Sequence, residues 1–316
     1  MSTHNKINVA VIGATGYTGL DLTLMLSRHP KVKIVNLCAT KNLGKKISYF
    51  DKRIKKDLPK ISSIKKVNWM KLDLVFLSLP NGGAQKLVKK IYFLNKNLRF
   101  IDLSADFRIS NTKIFKKNYN FKHKAKNLLS DSFYSIPELN KQKINKFRII
   151  SNPGCYPTSI QLPLVPLIIR NMIKKDNITI DSKSGYSGAG KNLVKKFNHK
   201  NLFTSTFAYS TKNHRHICEI DQQFLKLTKK KIYFSFNPHL LPTFRGILTS
   251  IYVQSNKGKT GSILRKSLIK YYKNAKFVKI LKLNSPIGSG NVLNTNNCEI
   301  SDIKADVVAA GPAPSP

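Results

Sequence analysis

The chain has 316 residues, 41% of them apolar, and this length favours two domains over one hydrophobic core. No apolar run is long enough to cross a membrane, and the N-terminus lacks a signal-peptide pattern, so we expect a cytoplasmic protein with no membrane partner. The net charge of +41 comes mostly from lysines spread along the whole chain with asparagine and isoleucine. Because no nucleic-acid-binding motif accompanies them, compositional drift is favoured over a nucleic-acid partner.

The first 150 residues alternate strand and helix patterns. Buried-strand runs are separated by turns and by helical segments, which is typical of a parallel sheet with helices on both faces. We therefore predict a Rossmann-type, doubly wound parallel sheet in an α/β fold. The predicted elements are strand Ile7–Ile12, helix Leu20–Ser27, strand Val32–Ala39, strand Leu74–Leu79, helix Ala84–Phe93 and strand Arg99–Leu103.

The pattern changes after residue 153, where one apolar helix is followed by strand-like runs between polar and glycine-rich loops. This indicates an α+β domain with a mainly antiparallel sheet. The predicted domains are 1–153, 154–300 and an atypical, unstructured tail, 301–316. The predicted elements are helix Ile160–Met172, strands Ile178–Ser184, Lys231–Asn237 and Thr249–Gln254, and helix Ser262–Tyr272.

A glycine-rich turn, GATGYTG, joins the first predicted strand to the first predicted helix. Its spacing is G-x-x-G-x-x-G rather than G-x-G-x-x-G, but the physics is similar. Glycines let backbone amides approach a pyrophosphate, and the following helix presents its positive end. A plain tight turn is the alternative. The candidate cofactor-binding residues here are Gly13, Thr15, Gly16, Tyr17, Thr18 and Gly19.

The end of the second strand bears on the choice of dinucleotide. NAD-selective sites carry an acid there, whereas this chain has Thr40 and Lys41. A hydroxyl and a cation suit a 2′-phosphate, so both are candidate cofactor-binding residues and NADP(H) is the expected cofactor. The alternative is that Lys41 is one more surface lysine.

The segment SNPGCYPTS places Cys155 behind a Pro-Gly turn and before an apolar helix. The thiol would lie in the first helical turn, where the helix dipole favours a thiolate. Nearby amides could stabilise an oxyanion. These features predict a nucleophile, and the alternative is a small buried hydrophobe. The four cysteines are too far apart in sequence to suggest a disulfide framework or a zinc finger.

A nucleophilic cysteine needs a base. His214 and His216 alternate in HRHICEI, and His239 precedes Arg245 in NPHLLPTFRGI, so either segment could supply the base and an anion clamp. A zinc pair at the first two histidines lacks a nearby third ligand, and no metal is expected. The loop KSGYSGAGK (183–191) could cradle an anion, or be a surface loop without a ligand.

The chain resembles the N-acetyl-γ-glutamyl-phosphate reductases of arginine biosynthesis in its motifs and in their order along the sequence. The motifs are GATGYTG, DLSADFR, YSIPE, SNPGCYPT, KSGYSGAGK, HRHICEI and PHLLPTFRGIL. The resemblance implies a fold like glyceraldehyde-3-phosphate dehydrogenase, NADPH as cofactor, a homo-dimer or tetramer, and reduction of N-acetyl-L-glutamyl 5-phosphate to the 5-semialdehyde with release of phosphate.

The resemblance also implies roles for single residues. Cys155 matches the nucleophile that forms a thioester, and His216, or else His214, matches the acid/base. Residues matching the family's substrate or phosphate contacts are Arg108, Ser187, Glu219 and Arg245.

The chain departs from the family at two places. Cys218 stands where a proline is expected, and the tail SDIKADVVAAGPAPSP replaces an expected strand and closing helix. The changed tail leaves open a decayed, non-catalytic homologue. The basic charge leaves open a related acyl-phosphate reductase that acts on a substrate bound to an acidic carrier protein.

Overall fold

The structure, a computed structural model, describes residues 6–191, 204–283 and 285–301, without the side chains of 141–143. Contacts between Cα atoms divide it into two compact units that change over between Gly154 and Cys155. Residues 189–191, which the sequence assigned to the second domain, group with the first unit. The predicted tail, apart from residue 301, lies outside the described residues.

The first unit contains a seven-stranded sheet whose strands all pair in parallel. Its strands are β1 (Ile7–Ile12), β2 (Val32–Cys38), β3 (Ile61–Ser62), β4 (Leu74–Leu77), β5 (Arg99–Asp102), β6 (Ser132–Tyr134) and β7 (Ile149–Ser151). The order β3-β2-β1-β4-β5-β7-β6 reverses direction between β1 and β4, which is where doubly wound sheets bind ligands. The prediction of a Rossmann-type sheet is confirmed.

Helices cover both faces of this sheet, which explains why β1 is apolar without alternation. Val9 and Val11 belong to one hydrophobic core with Leu22, whereas Ala10 belongs to a second core with Val88. Successive side chains of β1 point to opposite faces, and each face is packed. The helices of this unit are α1 (Tyr17–Ser27), α2 (Gly83–Ile91), α3 (Thr112–Tyr119) and α4 (Pro137–Asn140).

The second unit contains a four-stranded sheet in the order β11-β8-β10-β9. Its outer pairs, β11–β8 and β10–β9, are antiparallel as predicted, whereas the central pair β8–β10 is parallel, so the sheet is mixed. A separate parallel pair joins β12 and β13. The elements are α5 (Cys155–Ile169), β8 (Ile178–Gly185), β9 (Phe207–Ala208), α6 (His216–Thr228), β10 (Phe234–Leu241), β11 (Ile247–Tyr252), α7 (Gly261–Tyr271), β12 (Val278–Ile280) and β13 (Cys298–Ile300).

The prediction of a strand over Lys231–Asn237 is wrong by several residues, because β10 continues through Pro238 to Leu241. A proline removes a ladder donor and suggested a strand end. The carbonyl of Pro238 accepts a hydrogen bond from the amide of Tyr209 at 3.1 Å, so the missing N–H faces the β9 edge. The β9 ladder pairs only His239 and Leu240, so it loses no hydrogen bond to this proline.

Helix α5, which begins at Cys155, is buried along most of its length and contains Pro163 and Pro166. A proline inside a helix leaves the carbonyl four residues earlier without its usual amide donor. For Pro166 that carbonyl belongs to Leu162, and the hydroxyl of Tyr272 donates to it at 2.5 Å. A side chain just after α7 thus replaces the missing backbone hydrogen bond.

Candidate active site

The carboxyl ends of the parallel strands in the first unit bring the predicted cofactor residues to one edge of the sheet. The amides of Gly13 and Ala14 donate to the carbonyl of Cys38, at 2.8 and 3.0 Å. The turn after β1 is therefore joined to the end of β2, where Thr40 and Lys41 are exposed. The glycine turn and the proposed 2′-phosphate contacts thus share this edge.

The three glycines of the turn differ in how much room each leaves for a side chain. Gly13 has φ +88°, and a Cβ there would lie 2.0 Å from the carbonyl oxygen of Ser78. A Cβ on Gly19 would lie 2.2 Å from the carbonyl oxygen of Gly13. A Cβ on Gly16 would meet only that same oxygen, at 3.5 Å, which is ordinary contact. Gly13 and Gly19 are thus needed by the fold, whereas Gly16 borders space that a bound dinucleotide could fill.

The N-terminus of α1 is suited to an anion. Its N-cap is Gly16, no side chain caps it, and its first turn carries no acidic residue. The first amides of a helix lack intrahelical acceptors and carry the positive end of the dipole. Tyr17 is half-exposed and Thr18 exposed at this helix start, and Thr15 is half-exposed just before it. This arrangement fits the phosphates of a dinucleotide.

Helix α2 shows the contrasting case, because a carboxylate of the protein occupies its N-terminus. Asp106 accepts from the amides of Gly82 and Gln85, at 2.7 and 3.0 Å. The carboxylate is fully buried. Sequence reasoning missed this role, because 24 residues separate Asp106 from Gly82 in the chain. Of these two helix starts, the one at the glycine turn lacks an internal anion.

Arg108 is buried and contacts backbone carbonyls in the first unit. Its guanidinium donates to the carbonyl of Asn152 at 2.8 Å and to that of Leu103 at 3.1 Å. It therefore holds the segment that leads into Cys155. A direct contact with substrate, as the family resemblance implies, stays a prediction.

Asp102, at the end of β5, is a second buried carboxylate that sequence reasoning missed. It accepts from the amide and hydroxyl of Ser104, at 2.9 and 2.6 Å, and from the amide of Phe107 at 3.1 Å. Burial raises the pKa of Asp102 to about 6, opposed mainly by the hydrogen bonds from Ser104. Its own carbonyl accepts from the amide of Asn152 at 2.8 Å. Asp102 and Arg108 together fix both backbone groups of Asn152.

In the second unit, Cys155 is the first residue of α5 and its side chain is exposed. None of the four cysteines, all of which the structure describes, forms a disulfide. The thiol thus lies at a helix start, where the dipole favours a thiolate, and it is accessible to a substrate. Both features are those required of a nucleophile.

An aromatic cluster joins the first turn of α5 to the two histidines of HRHICEI. The ring of Tyr156 lies edge-on to His214 and His216, with centroids 5.5 and 5.9 Å apart, and the two imidazoles are 4.8 Å apart. The amide of His216, at the start of α6, donates to Nδ1 of His214 at 3.1 Å. Nδ1 of His214 is therefore an acceptor, and its neutral form carries the proton on Nε2.

Tyr209 is a member of this cluster that no sequence motif indicated. Its hydroxyl lies 3.1 Å from that of Tyr156, and the Tyr156 hydroxyl donates to the carbonyl of His239 at 3.2 Å. Burial raises the pKa of Tyr209; the hydrogen bond with Tyr156 lowers it, and a negative charge on Cys155 raises it. Burial also raises the pKa of Tyr156, so both phenols stay protonated.

The pleat of β10 separates His239 from this cluster. Phe236, whose ring is 5.3 Å from Tyr156 and 5.4 Å from His214, lies on one face of the strand. His239 is an odd number of residues away, so its side chain points to the other face. There its Nδ1 lies 3.0 Å from a carboxylate oxygen of Asp181. The structure thus favours the HRHICEI segment for the base.

Glu219 and Cys218 follow the histidines in the first turns of α6. Glu219 is fully buried, three residues after His216 and therefore on the same side of the helix. Burial raises the pKa of Cys218 to about 12, and the charges of Glu219 and Asp221 add to this. Cys218 is therefore a neutral thiol and no rival nucleophile. Its sulfur donates to the carbonyl of Arg215 at 3.0 Å, so the cysteine is accommodated where a proline was expected.

Ser187 and Arg245 lie on two loops that are bound to each other. The amides of Gly185 and Ser187 donate to the carbonyls of Gly246 and Phe244, at 2.9 and 2.8 Å. A Cβ on Gly185 would lie 2.7 Å from the amide nitrogen of Arg245, so the loops approach too closely for a side chain there. Both predicted substrate contacts are half-exposed. The pair brings a hydroxyl and a guanidinium, two groups that suit an anion, onto neighbouring loops.

Among the residues that the structure describes, no three His, Cys, Asp or Glu side chains gather in a way that could hold a metal ion. No helix there is long and apolar enough to span a membrane.

Comparison with known protein families matches both halves of the chain. Residues 8–147 match the semialdehyde dehydrogenase NAD binding domain, and residues 155–309 match the semialdehyde dehydrogenase dimerisation domain. A nicotinamide dinucleotide as cofactor, predicted from the glycine turn, agrees with the first match.

Curated relatives are identical to this chain at more than a third of the aligned positions. The N-acetyl-gamma-glutamyl-phosphate reductase of Afipia carboxidovorans is 38% identical over 294 residues, which is 92% of this chain and 84% of the relative. A probable N-acetyl-gamma-glutamyl-phosphate reductase, chloroplastic, of Arabidopsis thaliana is 36% identical over 296 residues, covering 93% and 73%. Among solved structures, aspartate semialdehyde dehydrogenase with NADP from Candida albicans superposes with a TM-score of 0.62 at 17% identity, covering 90% of this chain and 84% of that one.

Proposed function

The chain belongs to the N-acetyl-γ-glutamyl-phosphate reductases of the semialdehyde dehydrogenase family, and from that premise we propose that it reduces N-acetyl-L-glutamyl 5-phosphate to N-acetyl-L-glutamate 5-semialdehyde with NADPH. The family resemblance and the assignment to the oxidoreductases are confirmed by these relatives. The observation that carries the proposed reaction is an exposed cysteine at a helix start, followed directly by a tyrosine whose ring contacts two imidazoles.

The proposed chemistry begins with the Cys155 thiolate. Its sulfur attacks the acyl carbon of the substrate, the C–O bond to the phosphoryl group breaks, and inorganic phosphate leaves with a thioester on Cys155. Ser187 and Arg245 are the proposed contacts for the anionic groups of the substrate, and Arg108 holds the segment before the nucleophile. The developing oxyanion would be stabilised by amides at the start of α5.

The second half of the reaction needs a hydride and a proton. When bound, the dinucleotide would supply the hydride. His216 would supply the proton to the thioester oxygen as a thiohemiacetal forms on Cys155, and would take it back as the C–S bond breaks and the aldehyde leaves. We assign this role to His216 before His214, because Nδ1 of His214 is already occupied as an acceptor for the amide of His216. Glu219, buried on the same side of α6, is proposed to act near the substrate or the base.

The glycine turn and the end of β2 support NADP(H) in particular. Thr40 and Lys41 offer a hydroxyl and a cation where an NAD-selective site would carry an acid. Space at Gly16 and the α1 N-terminus, which carries no side-chain cap, suit the pyrophosphate. We place the reaction in the cytoplasm and propose a homo-oligomer, dimer or tetramer, which light scattering on the purified protein would test.

NADPH-dependent turnover of N-acetyl-L-glutamyl 5-phosphate, or the reverse reaction with semialdehyde, NADP and phosphate, tests the proposal. Cys155→Ser should abolish turnover and keep NADPH binding. Full activity in that variant would exclude the cysteine mechanism. A preference for a carrier-protein-bound substrate would favour the related reductase, and absence of NADPH binding in the wild type would favour the decayed homologue.

A further inference from the structure

Lys191, the last residue of the KSGYSGAGK segment, lies at the glycine turn of the first unit. It follows β8 in sequence, yet it groups with the first unit. Its Nζ donates to the carbonyl of Thr15 at 2.6 Å and lies 5.3 Å from the ring centroid of Tyr17. The side chain is exposed. An ammonium group is thus placed directly beside the start of α1.

This placement brings two positive groups together. The N-terminus of α1 carries about half a positive charge from its dipole. The first turn of α1 holds no acid, and no side chain caps the helix. The carbonyl of Thr15 offers a dipole to the ammonium but no negative charge. Two neighbouring positive groups repel each other, whereas an anion between them would be attracted by both.

The start of α2 has the opposite electrostatic arrangement. There the protein supplies its own anion, because the buried carboxylate of Asp106 accepts from two amides at the helix start. At α1 the protein supplies an extra cation instead. An ammonium group carries three N–H donors, and one of them is directed at Thr15. The others suit the oxygens of a phosphate.

We propose that Lys191 is a ligand of the dinucleotide, pairing with the pyrophosphate that NADP and NAD share. The pyrophosphate is favoured over the 2′-phosphate because the Lys191 contacts lie in the turn after β1, whereas Thr40 and Lys41 lie after β2. The inference rests on the proposed function, since it takes a nicotinamide dinucleotide as the ligand. It gives the second half of the KSGYSGAGK segment a role distinct from that of Ser187.

Direct binding measurements test the inference without turnover. NADPH and NADH are titrated by fluorescence into the wild type, Lys191→Ala and Lys56→Ala, at low and high salt. Lys56 is the matched control, because it is an exposed lysine of the same unit whose Nζ also donates to a backbone carbonyl, that of Ser27 at 3.3 Å, but at the opposite end of α1. A lost charge-assisted contact of about 1.4 kcal/mol is a tenfold change in Kd.

We expect Lys191→Ala to raise Kd about tenfold for both nucleotides and to weaken the salt dependence, with Lys56→Ala unchanged and Lys191→Arg close to wild type. Loss of affinity for NADPH alone would overturn the assignment to the pyrophosphate. Unchanged Kd, with or without a lower melting temperature of the apoprotein, would show that the Thr15 contact is only structural. Failure of the wild type to bind either nucleotide would reject the cofactor proposal and this inference with it.

Discussion

Removing the hydroxyl of Tyr272 tests whether a side chain replaces the backbone hydrogen bond that Pro166 lacks. In Tyr272→Phe the carbonyl of Leu162 loses the donor that now lies 2.5 Å away. Tyr272 is 4% exposed and Leu162 3%, so water has little access to the vacated acceptor. An unsatisfied buried polar group costs about 1–3 kcal/mol, and we expect the free energy of unfolding to fall by that amount.

A double-mutant cycle separates this cause from lost packing. Pro166→Ala restores an amide that can donate to Leu162 along α5. In the Pro166→Ala protein, Tyr272→Phe should lower the free energy of unfolding much less than it does in the wild type. Tyr271→Phe is the control, because Tyr271 is the adjacent, half-buried tyrosine and its ring lies 5.0 Å from that of Tyr272. Stabilities are compared by urea unfolding followed by far-UV circular dichroism. If Tyr272→Phe lowers the free energy of unfolding equally in the wild type and in Pro166→Ala, the reasoning is refuted.

Three further predictions concern the first unit. The pKa of Asp102 is raised in the fold to about 6, from an ordinary value of 3.8, so its contribution to stability is present at low pH and is lost as pH rises through 6. Urea unfolding should show that the free energy of unfolding of the wild type falls by up to about 3 kcal/mol as pH rises from 3.8 past 6, and that Asp102→Asn lacks this fall. The same pH dependence of stability in both proteins would contradict the prediction. Gly16→Ala should lower the affinity for NADPH while the free energy of unfolding falls by less than about 1 kcal/mol. Gly19→Ala should lower the free energy of unfolding by about 1–3 kcal/mol, because its Cβ would lie 2.2 Å from the carbonyl oxygen of Gly13. Calorimetric binding and thermal unfolding separate these two effects, and the same loss of stability in both variants would be the contrary result. Lys41→Ala should reduce the ratio of NADPH to NADH affinity, and an unchanged ratio would show that Lys41 is not the selector.

The first unit was predictable from sequence because its signals are local. An apolar strand, a glycine turn and a helix follow each other within one segment, and the periodicity of each run reports its burial. The α1 start was predicted late, at Leu20 rather than Tyr17, because Gly16 and Gly19 obscure the helical pattern. Glycines that a ligand or a backbone contact requires weaken the local propensity on which such predictions depend.

The second unit was less predictable because its decisive features come from pairing between distant segments. The residues alone left open whether His239 or the HRHICEI pair supplies the base, and the family resemblance favoured the pair. The pleat of β10 places His239 on the opposite face of the strand from the aromatic cluster. Tyr209 carries no motif of its own and reaches its position through a contact with a residue far away in sequence. In the first unit, Lys191 belongs to the KSGYSGAGK segment and Asp106 to DLSADFR, but their contacts with Thr15 and Gly82, 176 and 24 residues away, do not follow from those motifs.

The most direct test of the central claim, that Cys155 is the nucleophile, is a phosphate-release experiment without cofactor. Wild-type protein mixed with N-acetyl-L-glutamyl 5-phosphate should release about one phosphate per active site in a burst, and mass spectrometry should find the N-acetylglutamyl group on the peptide containing Cys155. Cys155→Ser should show neither, while still binding NADPH. A wild-type protein that turns over with NADPH yet shows no burst and no modified Cys155 would contradict the mechanism.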